Sequence, residues 1–342
     1  MTHAQPSLSR RGLLAAGGAA GLGALLAACG GGEDGPGPSP AVAAGGWAFT
    51  DDQPERLVAD QVPGRIVAFT GAAAALADLG IQDRIVGVFG ETRTADGTAE
   101  YQAGGLDLGR VEVVGGKSGE FSVEKYAALA PDLLITHQFD PGGYWYVPAA
   151  SRARIAELAP IATVNAGRVP LNEPIERYAE LAKSLGADLY AARVAEAKTR
   201  FEKAAAELSE AAKAADGIKV LFASATTGAF QIFSAVVSSD LMYFKQLGVD
   251  VVKPKLKGTA SHEPLSWADA GKYHADIIFL DARPGDRLSP GDLASNPGWN
   301  ALLAVKAGQV FPWQSVPIYS WAGAAPLIAS LTEAIRNSKK LI

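Results

Sequence analysis

The chain of 342 residues is 48% hydrophobic and carries 36 acidic against 31 basic side chains, a formal net charge of −5. That acidic balance argues against nucleic acid as a partner and against an electrostatic grip on anionic lipid. Cys29 is the single cysteine, so no disulfide, iron–sulfur cluster or cysteine-ligated zinc forms within the chain, and core burial has to stabilise it.

In chain order the first feature is residues 9–29, SRRGLLAAGGAAGLGALLAAC. Arg10 and Arg11 precede an uncharged run over 12–28, the pattern of an export signal. The run is at the short end for ~30 Å of hydrocarbon, which favours a cleaved signal over a permanent transmembrane helix. Leu26, Ala27 and Ala28 before Cys29 resemble the lipobox of bacterial lipoproteins. That resemblance implies cleavage before Cys29 and a diacylglycerol on its sulfur, and two acyl chains anchor a protein stably where one does not. Ser9 to Leu14 is also similar to a twin-arginine signal, departing from it with Leu13 for Phe and Ala15 for Lys. Residues 29–46, containing GGGEDGPGPSP, bury nothing and read as a flexible tether.

The globular part is expected from Trp47. Apolar runs at 66–70, 85–89, 133–136 and 161–164 alternate with Ala- and Leu-rich helical stretches such as 72–79. This alternation marks an α/β layer fold with a mostly parallel sheet. Over 171–216 the pattern turns helical, broken at 186–188. Its second half, 189–216, is long enough as one helix to act as a spine or cover between two lobes, or to be an ordinary surface helix. Strand-like runs then resume at 220–224, 230–233, 277–281 and 310–313. The expected architecture is two α/β lobes, 47–170 and 217–342, each with a mostly parallel sheet, joined by a helical connector over 171–216. Ligands of such sheets sit beyond the carboxyl ends of the strands.

Enzyme signatures are missing. Gly116-Lys117-Ser118 lacks the earlier glycine of a phosphate loop, Val111 standing in its place, and no dinucleotide fingerprint or nucleophile elbow is present. His137 follows a strand where a cleft would open, though such a histidine is more often structural; His262 and His274 read as surface residues. What the strand ends supply is aromatic: Tyr144, Trp145 and Tyr146, Phe230 and Phe233, Trp313, Tyr319 and Trp321. Rings with polar tips can enclose a large organic ligand. Arg283 adds a forked cation suited to carboxylate or hydroxamate oxygens. The competing reading is that the rings plug lobe cores and Arg283 is a solvated charge.

Over 65–335 the chain resembles the substrate-binding lipoproteins of ATP-driven iron-siderophore and cobalamin importers. The fragments that carry the resemblance include RIVA from Arg65, DRIVGV from Asp83, SVEKYAALAPDL from Ser122, LSW from Leu265, YHADII from Tyr273, NPGW from Asn296 and AVKAGQV from Ala304. The resemblance implies two lobes joined by a rigid helical connector with the ligand between them. It implies capture of a ferric siderophore, of hydroxamate type, held by Trp145, Tyr146, Phe230, Arg283, Trp313 and Tyr319. The iron would arrive already coordinated, so neither a protein metal ligand nor a cofactor is expected. Haem or cobalamin, with His137 or a tyrosine as axial ligand, is the alternative in the same class; a lipid-anchored enzyme or sensor is the alternative from another. Docking on a permease through one acidic residue per lobe is also implied. Glu124 matches the first position, while Ala268 stands at the second and leaves Asp269 or Glu263 as substitutes. The expected partners are the siderophore, permease and ATPase subunits and the membrane through lipidated Cys29, with no nucleic acid; the chain is expected to be a monomer outside the cytoplasm.

Overall fold

The computed structural model describes residues 46–53 and 55–341. The export signal, the lipobox with Cys29 and the tether up to residue 45 lie outside the described residues.

An antiparallel hairpin of β1 (Trp47–Thr50) and β2 (Arg56–Ala59) opens the fold. The buried Asp51 fastens it to the first lobe. Its Oδ1 accepts from the backbone N–H groups of Gln53 and Glu55, and its Oδ2 from the N–H and hydroxyl of Thr163 at 3.1 and 2.9 Å.

The first lobe runs β3 (Ile66–Phe69), α1 (Thr70–Asp78), β4 (Ile85–Phe89), β5 (Glu112–Gly115), α2 (Val123–Ala128), β6 (Leu133–Gln138), α3 (Arg152–Leu158) and β7 (Ile161–Asn165). Its five strands are all parallel, in the order β5-β4-β3-β6-β7. β3 and β6 are buried at every position, as strands covered on both faces must be. α1 is buried from Thr70 to Ala77 because its side chains are so small. A helix of alanines can lie close against the sheet while other helices pass over its back.

Two helices follow, α4 (Asn172–Ser184) and α5 (Ala192–Ala214), separated where Gly186 takes φ +96°. That left-handed turn is the ordinary helix stop supplied by glycine. α5 spans 23 residues, about 35 Å. Val194, Ala197, Phe201, Ala204, Leu208 and Ala211 form its buried stripe, and the pairs Glu196–Arg200, Lys198–Glu202 and Lys203–Glu207 lie on its outer side.

The second lobe contains β8 (Lys219–Ala225), β9 (Phe230–Phe233), α6 (Ser239–Gln246), β10 (Asp250–Val251), β11 (His262–Leu265) and β12 (Ile277–Asp281). Three single-turn helices follow, α7 (Pro290–Leu293), α8 (Pro297–Asn300) and α9 (Leu303–Lys306), then β13 (Val310–Trp313) and α10 (Trp321–Asn337), which packs along α5. The sheet order is β11-β9-β8-β12-β13, with β10 beside the start of β8. β8, β10, β12 and β13 are parallel, but β9 and β11 are antiparallel. Here the sheet is mixed, because β8 returns into β9 through the short loop 226–229, where the Thr226 N–H bonds the Ala229 carbonyl. A connection that short can only make an antiparallel pair.

The two lobes meet along the segment 166–171, which crosses between them. The N–H of Arg168 bonds the carbonyl of Val237 and that of Leu171 the carbonyl of Ser239, at 2.9 and 3.0 Å. Gly167 is required there, since a Cβ would lie 2.2 Å from the Phe139 carbonyl oxygen. α10 adds a second junction, its N-cap Ser320 donating to Asp78 at the end of α1. The close seating of α1 yields a test. Ala74→Leu forces four-carbon bulk into a site with no exposure and should destabilise the protein by about 1–3 kcal/mol, read as a fall in melting temperature by circular dichroism.

Candidate ligand-binding site

Between the lobes, beyond the carboxyl ends of β6 and β12, lies a cavity of about 400 Å³. This is where the strand order reverses in each sheet, the place a doubly wound sheet leaves open.

The first wall is the loop after β6, folded back on its own strand end. The Trp145 N–H bonds the His137 carbonyl at 3.0 Å and the Thr136 hydroxyl donates to the Trp145 carbonyl at 2.6 Å. Phe139 and Trp145 meet edge to face with centroids 4.7 Å apart, and both line the cavity. Tyr146 stands behind them, its ring on Phe69 and Trp145 and its hydroxyl donating to Glu91. Burial first, then the Glu91 carboxylate, push the Tyr146 phenol above its ordinary value. At the crossing, the exposed Arg168 donates to the Thr259 carbonyl at 2.8 Å and to Asp140 at 3.5 Å, tying the first lobe to a loop of the second.

The second wall is organised by Asp281, whose side chain is wholly enclosed. Its oxygens accept from Nε and Nη2 of Arg283, Nε of Arg287 and the hydroxyl of Ser315, at 2.7–3.2 Å. Burial works to raise the Asp281 pKa, but the charges of Arg283 and Arg287 and the Arg283 hydrogen bonds outweigh it and hold the carboxyl below its ordinary value. Arg283 and Ser315 line the cavity, as do Phe233 and His262, whose rings lie 5.3 Å apart. His262, expected at the surface, is a half-buried wall of the cavity because β11 pairs with β9 and puts it directly opposite Phe233. Burial lowers its pKa.

Tyr319 forms the floor. Its ring is parallel to that of Tyr178 at 6.4 Å, and its hydroxyl accepts from Ser239. His137 lies edge-on to both tyrosines, fully buried, with Nδ1 2.7 Å from the Tyr178 hydroxyl and Nε2 without a partner among the described residues. Burial drives its pKa down to about 3, so the ring is neutral. It is not among the cavity's lining residues, and Phe139 and Tyr319, which are, pack against it.

Of the six residues expected to hold the ligand, the structure places Trp145, Arg283 and Tyr319 on the cavity and Tyr146 immediately behind it. Two stand elsewhere. Phe230 is buried in the far core of the second lobe against Trp267 and Trp299. Trp313 is fully buried, packed on Phe222 and Phe233 with its indole N–H on Asp240 at 2.7 Å. Glu124 and Asp269 lie exposed, one in each lobe, just after the helix-capping serines Ser122 and Ser266. Glu263 is instead engaged by Lys272, Tyr273 and the Lys255 N–H.

Two α/β lobes enclosing a preformed, ring-lined cavity at their junction define a bilobal solute-binding protein. Comparison with known proteins agrees: residues 66–317 match the Periplasmic binding protein family. The chain belongs to that family, whose members work outside the cytoplasm. Among solved structures it is similar to DesE, a ferric-siderophore receptor protein from Streptomyces coelicolor, with 45% identity, a TM-score of 0.82, and 86% of this chain and 99% of that chain covered. The fold is shared with the petrobactin-binding protein YclQ of Bacillus subtilis, at 17% identity, TM-score 0.64 and coverage of 85% and 99%. It is also shared with the siderophore periplasmic binding protein of the fuscachelin gene cluster of Thermobifida fusca, at 21% identity, TM-score 0.56 and coverage of 80% and 96%. A search of the curated proteins found no match.

Behind the floor, Asp240 gives a pH test. It accepts from the Trp313 indole and the Leu241 N–H, with Tyr101, Tyr319 and Asp281 as its other titratable neighbours. Burial pushes its pKa from 3.8 up to about 7. Below about 3.8 this group leaves stability unaffected by pH; between 3.8 and about 7 the folded state holds the extra proton, and stability falls as pH rises. Urea unfolding at pH 5 and pH 8 should therefore show a smaller loss on going to pH 8 in Asp240→Asn than in the parent.

Proposed function

We propose that this chain captures a ferric siderophore of hydroxamate type and delivers it to the permease of an ATP-driven importer. The observation that carries this reading is the cavity itself: aromatic walls around a guanidinium, Arg283, braced from behind by an enclosed carboxylate. Aromatic faces suit a chelate's organic shell, and a guanidinium held in one orientation suits its paired oxygens. The charge balance favours hydroxamates. Arg168 and Arg283, the two cations on the main cavity, each share a carboxylate, Asp140 and Asp281. Three hydroxamates cancel the charge of ferric iron, whereas three catecholates leave a strongly anionic complex that this wall would not neutralise. The similarity to the ferric-siderophore receptor DesE supports the same reading.

The work is recognition without covalent chemistry, Trp145, Arg283 and Tyr319 being the proposed ligand contacts and Tyr146 bracing Trp145 from behind. The reading also takes the chain to be exported, cut before Cys29 and tethered to the membrane by lipid on that residue, acting as a monomer. Glu124 and Asp269 are the proposed permease contacts, both exposed, Glu124 two residues after the capping Ser122 and Asp269 three after the capping Ser266.

Titration with a ferric trihydroxamate, followed by tryptophan fluorescence, should quench Trp145 to saturation, while a ferric catecholate binds much more weakly. Arg283→Ala should weaken hydroxamate binding roughly ten- to a hundred-fold through loss of charge-assisted hydrogen bonds. No quench with any ferric chelate would remove the proposal.

A further inference from the structure

Next to the main cavity is a second, narrow recess with a volume of about 10 Å³, room for one group the size of a water molecule or an ammonium. Trp145, Arg283 and Val316 line both, so the recess adjoins the main cavity. Its other polar walls are rich in acceptors: the carboxylates of Glu91 and Glu100 and the side-chain amides of Gln102 and Gln314.

Two of these acceptors are left over by the fold. Gln102 is 4% exposed, and its Nε2 donates to the Val316 carbonyl, which fixes the amide and leaves Oε1 with no donor among the described residues. The Oε1 of Gln314 is likewise buried and without a partner among the described residues. Buried acceptors are nearly always paired in native proteins, so two in one recess call for a donor from outside the chain. Glu91 is held in place by the Tyr146 hydroxyl at Oε1, which leaves its second oxygen to accept from elsewhere. The cation on the wall, Arg283, has Nε and Nη2 committed to Asp281. Tyr101 also lines the recess, and burial pushes its phenol up to about 12, so it carries no charge there.

The geometry points to a subsite for a compact cationic donor, a protonated primary amine at the end of the bound chelate, reaching in from the main cavity past Trp145. An ammonium brings three donors and a positive charge, and the recess offers two amide oxygens and two carboxylates to meet them. A neutral donor could bond the amide oxygens, but two carboxylates against the one guanidinium of Arg283 give such walls a preference for a cationic terminus. Glu91 and Glu100 thus act as specificity-determining residues within the proposed siderophore site, and the inference rests on that reading.

The test uses the full chain and two chelates: a linear ferric trihydroxamate ending in a free primary amine, and the same chelate with that amine acetylated. The free-amine form should bind roughly tenfold more tightly, the scale expected for hydrogen bonds to a charged group. Glu100→Gln, which leaves the Tyr146–Glu91 bond of the wall untouched, should narrow that gap while leaving the acetylated form's affinity within about twofold, which also reports that the variant is folded. Equal binding of the two chelates to the parent would overturn the subsite, as would a gap that Glu100→Gln leaves unchanged. Binding of neither chelate would overturn the siderophore reading together with the subsite, a result distinct from equal binding.

Discussion

One apolar core runs through both lobes, and the cavity exists because of it. The same buried cluster takes in Trp47 of the opening hairpin, the alanines of α1, Phe201 of α5, Phe222 of the second sheet and Leu331 of α10. α10 lies along α5 and also touches α1, so the last helix of the chain braces the first lobe from the second. With the backbone of Arg168 and Leu171 bonded across the junction, the lobes cannot part without opening this core. Closing a hinge around a ligand is therefore not required. A cavity formed in advance spares the ligand the cost of ordering its own walls.

On that frame the cleft's charges are arranged lobe by lobe. Asp281 binds Arg283 and Arg287 inside the second lobe, and Glu91 takes the Tyr146 hydroxyl inside the first. An enclosed carboxylate is costly unless its oxygens are met by donors, and Asp281 has two guanidiniums and the Ser315 hydroxyl. What this achieves is orientation. The long flexible side chain of Arg283 loses most of its rotamer freedom before any ligand arrives, so that entropy is not charged against binding.

Much of the α/β plan was legible because buried parallel strands write themselves as apolar runs: the runs at 85–89 and 277–281 coincide with β4 and β12. β11 was not, since His262-Glu263-Pro264-Leu265 has neither an apolar run nor strict alternation, and its strand character comes from pairing with β9. The position of His262 on the cavity was lost with it. Strand-end aromatics carry a different ambiguity. Phe230 and Phe233 both belong to β9, yet Phe230 faces the far core and Phe233 the cavity. Alternation says that neighbours point opposite ways; only the packing of the sheet says which way is the cleft. The residues contributed by loops, Glu91, Gln102, Arg287 and Ser315, have no local signal at all, because their meaning lies in partners 34 to 214 positions away or brought together by the turn after β12.

Backbone strain marks the same place. Among the described residues, four other than glycine have positive φ. Ala130 and Asp216 directly follow the ends of α2 and α5, where a left-handed residue is an ordinary helix stop. Tyr146 and Arg168, at φ +62° and +61°, are neither; both border the cavity, and each such residue costs about 1–3 kcal/mol unless its surroundings fix it. Both are fixed from two sides. Tyr146 is held by its ring contacts with Phe69 and Trp145 and by its hydroxyl bond to Glu91, and Arg168 by its N–H on Val237 and its guanidinium on Thr259. The fold thus spends its least favourable backbone where it must turn Trp145 toward the cavity and carry the chain from one lobe to the other. Replacing either strained residue's partners would relax the backbone at the expense of the wall it shapes.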